Sequence, residues 1–171
     1  IGTSLQEVER RGVDILVALD VSSSMEAEDV KPSRLEKAKF EIGRLISQLQ
    51  GDRIGLVVFA GSSHLYLPLT GDYGAAQLFV NAVDSEMIRT QGTAMSDALK
   101  TALGAFPEED QKHRVLIIMS DGEDHEGAAV DVARELEAQG VVIHSVGVGT
   151  AAGSLIPIFD DQSRRTDYKK D

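Results

Sequence analysis

Val13-Asp14-Ile15-Leu16-Val17-Ala18-Leu19-Asp20-Val21-Ser22-Ser23-Ser24 is the stretch that decides how this chain is read. A short, nearly continuous apolar run with polar residues beyond it is the pattern of a strand buried on both faces, as at the centre of a parallel sheet. Where the run ends, Asp20, Ser22 and Ser24 set a carboxylate and two hydroxyls at alternate positions. An all-oxygen pocket at a strand end suits a hard divalent cation better than a nucleophile or a phosphate.

Working outward, short apolar strands alternate with helical patterns, which points to an α/β, doubly wound, mostly parallel sheet flanked by helices. Pro32-Ser33 opens a helix, with Ser33 as N-cap and Glu36 completing a capping box. Leu35, Ala38, Ile42, Leu45, Ile46 and Leu49 recur at helical spacing until Gly51 stops the run. Arg53 to Ala60 reads as the second strand. His64-Leu65-Tyr66-Leu67 follows too soon for a crossover helix, so it is expected to be a short antiparallel edge strand. Helices are expected over 73–83, 94–106 and 127–139, and strands over 114–120 and 141–148.

The 171 residues suffice for one domain with a substantial core. Hydrophobic residues make up 42% and charged residues 26%, which excludes a disordered chain. The formal net charge of -11 argues against nucleic acid and anionic lipid as partners and favours a bound cation. With no cysteine, thiolate metal sites, disulfides and thiol catalysis are excluded. No apolar run approaches the length of a membrane helix, and no signal peptide is visible. The start at Ile1, without an initiator Met, reads as a fragment of a longer protein. The expected organisation is an extension over 1–11, a domain over 12–150, and a loop or hairpin start over 151–171, poorly ordered at its end, where the chain is either truncated or lacks an edge strand.

Three segments bring oxygen donors to what should be one edge of the sheet. These are Asp20, Ser22 and Ser24; Thr93, after Gly92 and before a helix; and Asp121, within Ser120-Asp121-Gly122-Glu123-Asp124. In open parallel sheets, ligands gather beyond the carboxyl ends of strands where the strand order reverses. Asp20 and Asp121 would face each other there if their strands are neighbours. Mg²⁺ needs octahedral oxygen geometry at about 2.0–2.1 Å and keeps several waters. Asp20, Ser22, Ser24, Thr93 and Asp121 would satisfy it and leave one position for an acidic group of a partner. Mn²⁺ and Ca²⁺ are the alternatives.

Plainer readings exist for each residue. Thr93 reads equally as a helix N-cap, and Ser24 and Ser120 as loop stabilisers. Glu26, Glu28 and Asp29 follow the first motif closely and could border the site, but read first as a solvated loop; Glu123, Asp124 and His125 read as complements of a helix dipole. His64 is expected in solvent near the same edge, and His113 and His144 are expected to be structural.

Asp-x-Ser-x-Ser, Gly-Thr before a helix, and Ser-Asp-Gly after a strand together resemble the von Willebrand factor A (vWA) domain and its metal-ion-dependent adhesion site. So do Asp14-Ile15, Asp52-Arg53-Ile54-Gly55-Leu56-Val57-Val58-Phe59-Ala60-Gly61, Pro68-Leu69-Thr70 and Ser145-Val146-Gly147-Val148-Gly149. The resemblance covers about residues 12–150. Ser24 to Leu35, and Ile156-Pro157-Ile158, look more narrowly like the bacterial Bat (aerotolerance-operon) subgroup. The resemblance implies a parent held in the bacterial inner membrane with this domain in the periplasm. It implies other Bat proteins and a MoxR-type AAA ATPase as companions. It also implies a final helix and strand that this chain lacks.

Enzymatic readings fit poorly. A haloacid-dehalogenase-type phosphatase needs Asp-x-Asp, and Ser22 takes the second place here. No Gly-x-Ser-x-Gly elbow exists, and Gly147-Val148-Gly149 lacks the spacing of a nucleotide loop. The expectation is a non-enzymatic, metal-dependent protein-binding module. A metal-dependent phosphohydrolase and a scaffold with a vestigial metal site are the alternatives.

Overall fold

In a computed structural model of the chain, residues 12–108, 113–122 and 128–150 are described, together with the backbone of strands 155–159 and 165–170. The expected extension over 1–11 lies outside the described residues, as do Glu123, Asp124 and His125.

The central strand β1 (Asp14–Asp20) is buried at every position. A 3₁₀ turn (Ser23–Glu26) follows, and helix α1 (Arg34–Gln48) leads to β2 (Arg53–Phe59), parallel to β1. Ser33 caps α1 by accepting the Glu36 N–H at 3.2 Å. The Glu36 carboxylate takes Lys39 Nζ at 2.6 Å, so one half of the expected capping box is seen. The edge strand β3 (Ser63–Thr70) is antiparallel to β2, as expected, but longer than His64–Leu67. Its pairing with β2 shifts register between Ile54 and Val57.

Helices α2 (Tyr73–Asn81) and α3 (Met95–Ala105) precede β4 (Arg114–Ser120), and α4 (Ala129–Ala138) precedes β5 (Val141–Gly147). The five strands run in the order β3-β2-β1-β4-β5. Beyond them, β6 (Leu155–Phe159) and β7 (Arg165–Lys170) form a separate antiparallel hairpin.

The core has two halves because successive β1 side chains point to opposite faces. Ile15, Val17 and Leu19 pack with Leu35, Ala38, Ile42 and Ile46 of α1 and with Ala76 and Val80 of α2. Leu16 and Ala18 pack with Ala98, Leu99 and Ala102 of α3 and with Val132 and Leu136 of α4. A fully buried leucine such as Leu16 contributes about 1.5–3 kcal/mol relative to exposure. At the far edge β5 is less covered: Val142 and Val146 are 53% and 40% exposed, and His144 is exposed rather than buried.

This topology fixes where chemistry can gather. After β1 the chain goes to β2 and β3 on one side, then returns to place β4 on the other. The order therefore reverses at β1, between its carboxyl end and that of β4. At the amino end of β1, Asp14 is closed off by a bidentate pair with Arg53, at 2.7 and 2.6 Å.

Candidate metal centre at the strand ends

β1 and β4 are hydrogen-bonded neighbours, with Leu19 opposite Met119, so the segments beginning at Asp20 and Asp121 leave the sheet side by side. The condition for these two acids to face each other, that their strands be neighbours, is met. Asp20 has no exposed surface, and Ser22, Ser24 and Ser120 are nearly as buried. One Asp20 oxygen accepts the Ser22 N–H at 2.9 Å and the other accepts the Ser120 hydroxyl at 2.8 Å. Ser120 thus holds the carboxylate directly, and its Oγ also accepts the Gly122 N–H at 3.1 Å. The Ser22 and Ser24 hydroxyls converge, with their oxygens 3.0 Å apart.

Thr93 reaches the same edge by another route. The N–H of Gly61 donates to the Thr90 carbonyl at 2.8 Å, and the Ala94 N–H donates to the Ala60 carbonyl at 2.6 Å. These bonds pin the segment before α3 to the end of β2, whose Phe59 lies opposite Asp20. Only glycine fits at position 61, because a Cβ there would lie 2.6 Å from the Gln91 carbonyl oxygen. Gln91 Oε1 in turn accepts the Ser23 N–H at 3.0 Å, tying this segment to the serine loop. The N-cap of α3 is Ala94. Thr93 is half-buried and does not cap the helix, which corrects the plainer reading of it.

The second carboxylate, Asp121, is met by Arg34 Nη1 at 3.0 Å, and both side chains are 3% exposed. Arg34 also pairs through its Nε and Nη2 with both oxygens of Asp29, at 2.9 and 3.1 Å. Asp29 is therefore no solvated loop acid: its side chain is 6% exposed. Burial pushes its carboxyl up, but the Arg34 fork and two bonds from Thr150 outweigh that and hold it at about 2. Arg34 did not stand out as a site residue in the sequence, and Asp29 stood out only as one of three acids that could border the site. A usable signal was present, since Arg34 is the first residue of α1 and a cation there runs against the helix dipole unless carboxylates hold it.

Burial raises the Asp20 carboxyl above its ordinary value, despite the bonds from Ser22 and Ser120, and the nearby charge of Asp121 adds to the rise. Among the described residues Asp20 is bonded by neutral donors and by no cation. No buried side-chain nitrogen or oxygen among the described residues lacks a hydrogen-bond partner, so the site is satisfied internally. What fits a cation is the donor chemistry. Among the described residues no three His, Cys, Asp or Glu side chains cluster. A metal here would be held by hydroxyls and two carboxylates, a hard-oxygen set suited to Mg²⁺, Mn²⁺ or Ca²⁺. A cleft of about 800 Å³ between α1 and α2 is lined by Lys37, Phe40 and Gln77 among others and includes none of these strand-end residues.

Comparison with known proteins agrees with the fold. BatB from Bacteroides thetaiotaomicron is 38% identical, with a TM-score of 0.84, covering 93% of this chain and 80% of that one. An aerotolerance-related membrane protein from Bacteroides fragilis is 37% identical, with a TM-score of 0.83, covering 93% and 82%. A UPF0353 protein from Nocardia farcinica is 30% identical over 177 residues, covering 94% of this chain and 52% of its own length. The chain spans about half the length of the curated relatives it matches. The family model described as the von Willebrand factor type A domain matches residues 15–123, and the chain belongs to that family.

Proposed function

We propose that this domain recognises another protein through a bound divalent cation, with Mg²⁺ the first candidate and Mn²⁺ or Ca²⁺ the alternatives. Asp20, Ser22, Ser24, Thr93 and Asp121 hold the ion, and an Asp or Glu of the partner completes its shell. The ion supplies a positive centre for that carboxylate, and the site works by binding rather than catalysis. The observation that carries this reading is Asp20: a fully buried carboxylate, bonded by neutral donors, beside two convergent hydroxyls. A buried acid without a countercharge is costly, and a cation removes that cost.

The net charge of -11 repels an acidic partner at long range. Screening over about 8 Å at physiological salt leaves the local cation to decide the contact. Likeness to the two Bacteroides proteins supports a Bat-type parent in the bacterial inner membrane, held by segments outside this chain, with this domain in the periplasm. No helix among the described residues is long and apolar enough to cross a membrane. Other Bat proteins and a MoxR-type AAA ATPase are the partners to try first.

The test is capture of these candidates from bacterial membrane extract by the wild-type domain and by Asp20→Asn, with Mg²⁺ or with EDTA. The expected result is a partner held by the wild type in Mg²⁺ and lost in both other conditions. Equal capture throughout would mean that recognition uses another surface.

A further inference from the structure

Arg34 reaches two segments of the site at once. Its Nη1 donates to Asp121 Oδ2 at 3.0 Å and approaches the Ser24 carbonyl at 3.4 Å. One guanidinium thus spans the loop after β1 and the loop after β4, the two segments that carry Asp20, Ser22, Ser24 and Asp121. Arg34 is itself fixed. Asp29 grips it with both oxygens, and Thr150 bonds the same Asp29 oxygen through its N–H at 2.7 Å and its hydroxyl at 3.0 Å. The backbone of Gly149, with φ at +148°, lies against the guanidinium, where a Cβ would come within 3.0 Å of Arg34 Nε. The planar fork of arginine suits such a role, and a lysine ammonium, being a point charge, does not reproduce it.

We propose that Arg34 is the positioning residue of the cation site: anchored by Asp29, it sets the distance between the Ser24 loop and Asp121 and so selects Mg²⁺ over Ca²⁺. This rests on the metal-binding reading above. The selectivity follows from ion chemistry. Mg²⁺ tolerates only near-ideal octahedral geometry at about 2.0–2.1 Å, whereas Ca²⁺ accepts 6–8 oxygens at about 2.3–2.6 Å in loose arrangements. A site whose two loops drift apart loses Mg²⁺ first. Groups that orient metal ligands from behind are worth about 10–100-fold in affinity. Simple electrostatics makes a different prediction, because deleting a cation would strengthen both ions alike.

The experiment is calorimetric titration with Mg²⁺ and with Ca²⁺ of the wild type, Arg34→Lys, Arg34→Gln and Asp29→Asn, each checked for folding by thermal unfolding in EDTA. The expected result is a fall of about tenfold or more in the Mg²⁺:Ca²⁺ affinity ratio in both Arg34 variants. A smaller fall in the same direction is expected in Asp29→Asn, which keeps the guanidinium but frees it. Should the Arg34 variants fail to fold, Asp29→Asn decides alone. A ratio unchanged within twofold, an equal shift for both ions, or a ratio restored by Arg34→Lys would overturn the positioning role. If the wild type binds neither ion, the metal reading itself fails, and this role falls with it.

Discussion

The two ends of β1 carry two fully buried aspartates that are treated in opposite ways. Asp14, at the amino end, is matched by a bidentate Arg53 whose side chain is 30% exposed. Asp20, at the carboxyl end, is met by an N–H and a hydroxyl. Asp14 is therefore a finished structural ion pair, pinning β1 to β2 away from the chemistry. Asp20 has no such cation partner among the described residues, and on the proposed reading its compensation comes from a bound metal ion. Burial alone does not single out a candidate site acid; here the neutral donors and converging hydroxyls around Asp20 set it apart from Asp14.

The largest effect should come from breaking the finished pair. Arg53→Met leaves Asp14 buried and uncompensated, and about 3 kcal/mol of stability should be lost in urea unfolding, equally with Mg²⁺ and with EDTA. A loss that Mg²⁺ changed would blur the distinction between the two ends.

A smaller effect is expected at Asp29, which resembles Asp14 in being held by an arginine. Its folded-state value of about 2 lies below the ordinary 3.8. The stabilisation it provides is therefore present above about pH 4 and lost as pH falls towards 2. Asp29→Asn should cost about 2 kcal/mol at neutral pH, and that deficit should shrink towards pH 2. A deficit independent of pH between 5 and 2, measured by urea titration at each of those acidities, would remove the ion pair from the account. The smallest effect is at Ser33, whose cap sets the start of α1 and the place of Arg34. Ser33→Ala should cost about 1 kcal/mol in thermal unfolding. No change at all would mean that the Asp29 and Asp121 contacts fix Arg34 without help from the cap.

How much of this was legible in the sequence differs between the two halves of the site. Asp20, Ser22, Ser24 and Asp121 announced themselves because each closes an apolar run, and apolar runs are the strongest local signal of a central strand. The sheet and its antiparallel edge followed from the same patterns. Arg34 did not, and Asp29 stood out only as one of three acids that could border the site, because nothing local separates it from Glu26 and Glu28 and the Arg34–Asp121 contact joins residues 87 apart. Pairing across the fold, which no single stretch encodes, turned a surface-looking acid into a buried anchor. His144, expected to be structural inside its strand, has an exposed side chain because β5 is the outer strand of the sheet.

Titration of Mg²⁺ into the metal-free wild type and into Asp20→Asn, followed by calorimetry, tests the central claim most directly. The account predicts saturable binding in the wild type and none in Asp20→Asn, with Asp20→Asn unfolding in EDTA at a temperature no lower than the wild type. Equal Mg²⁺ affinity in the two proteins would contradict it.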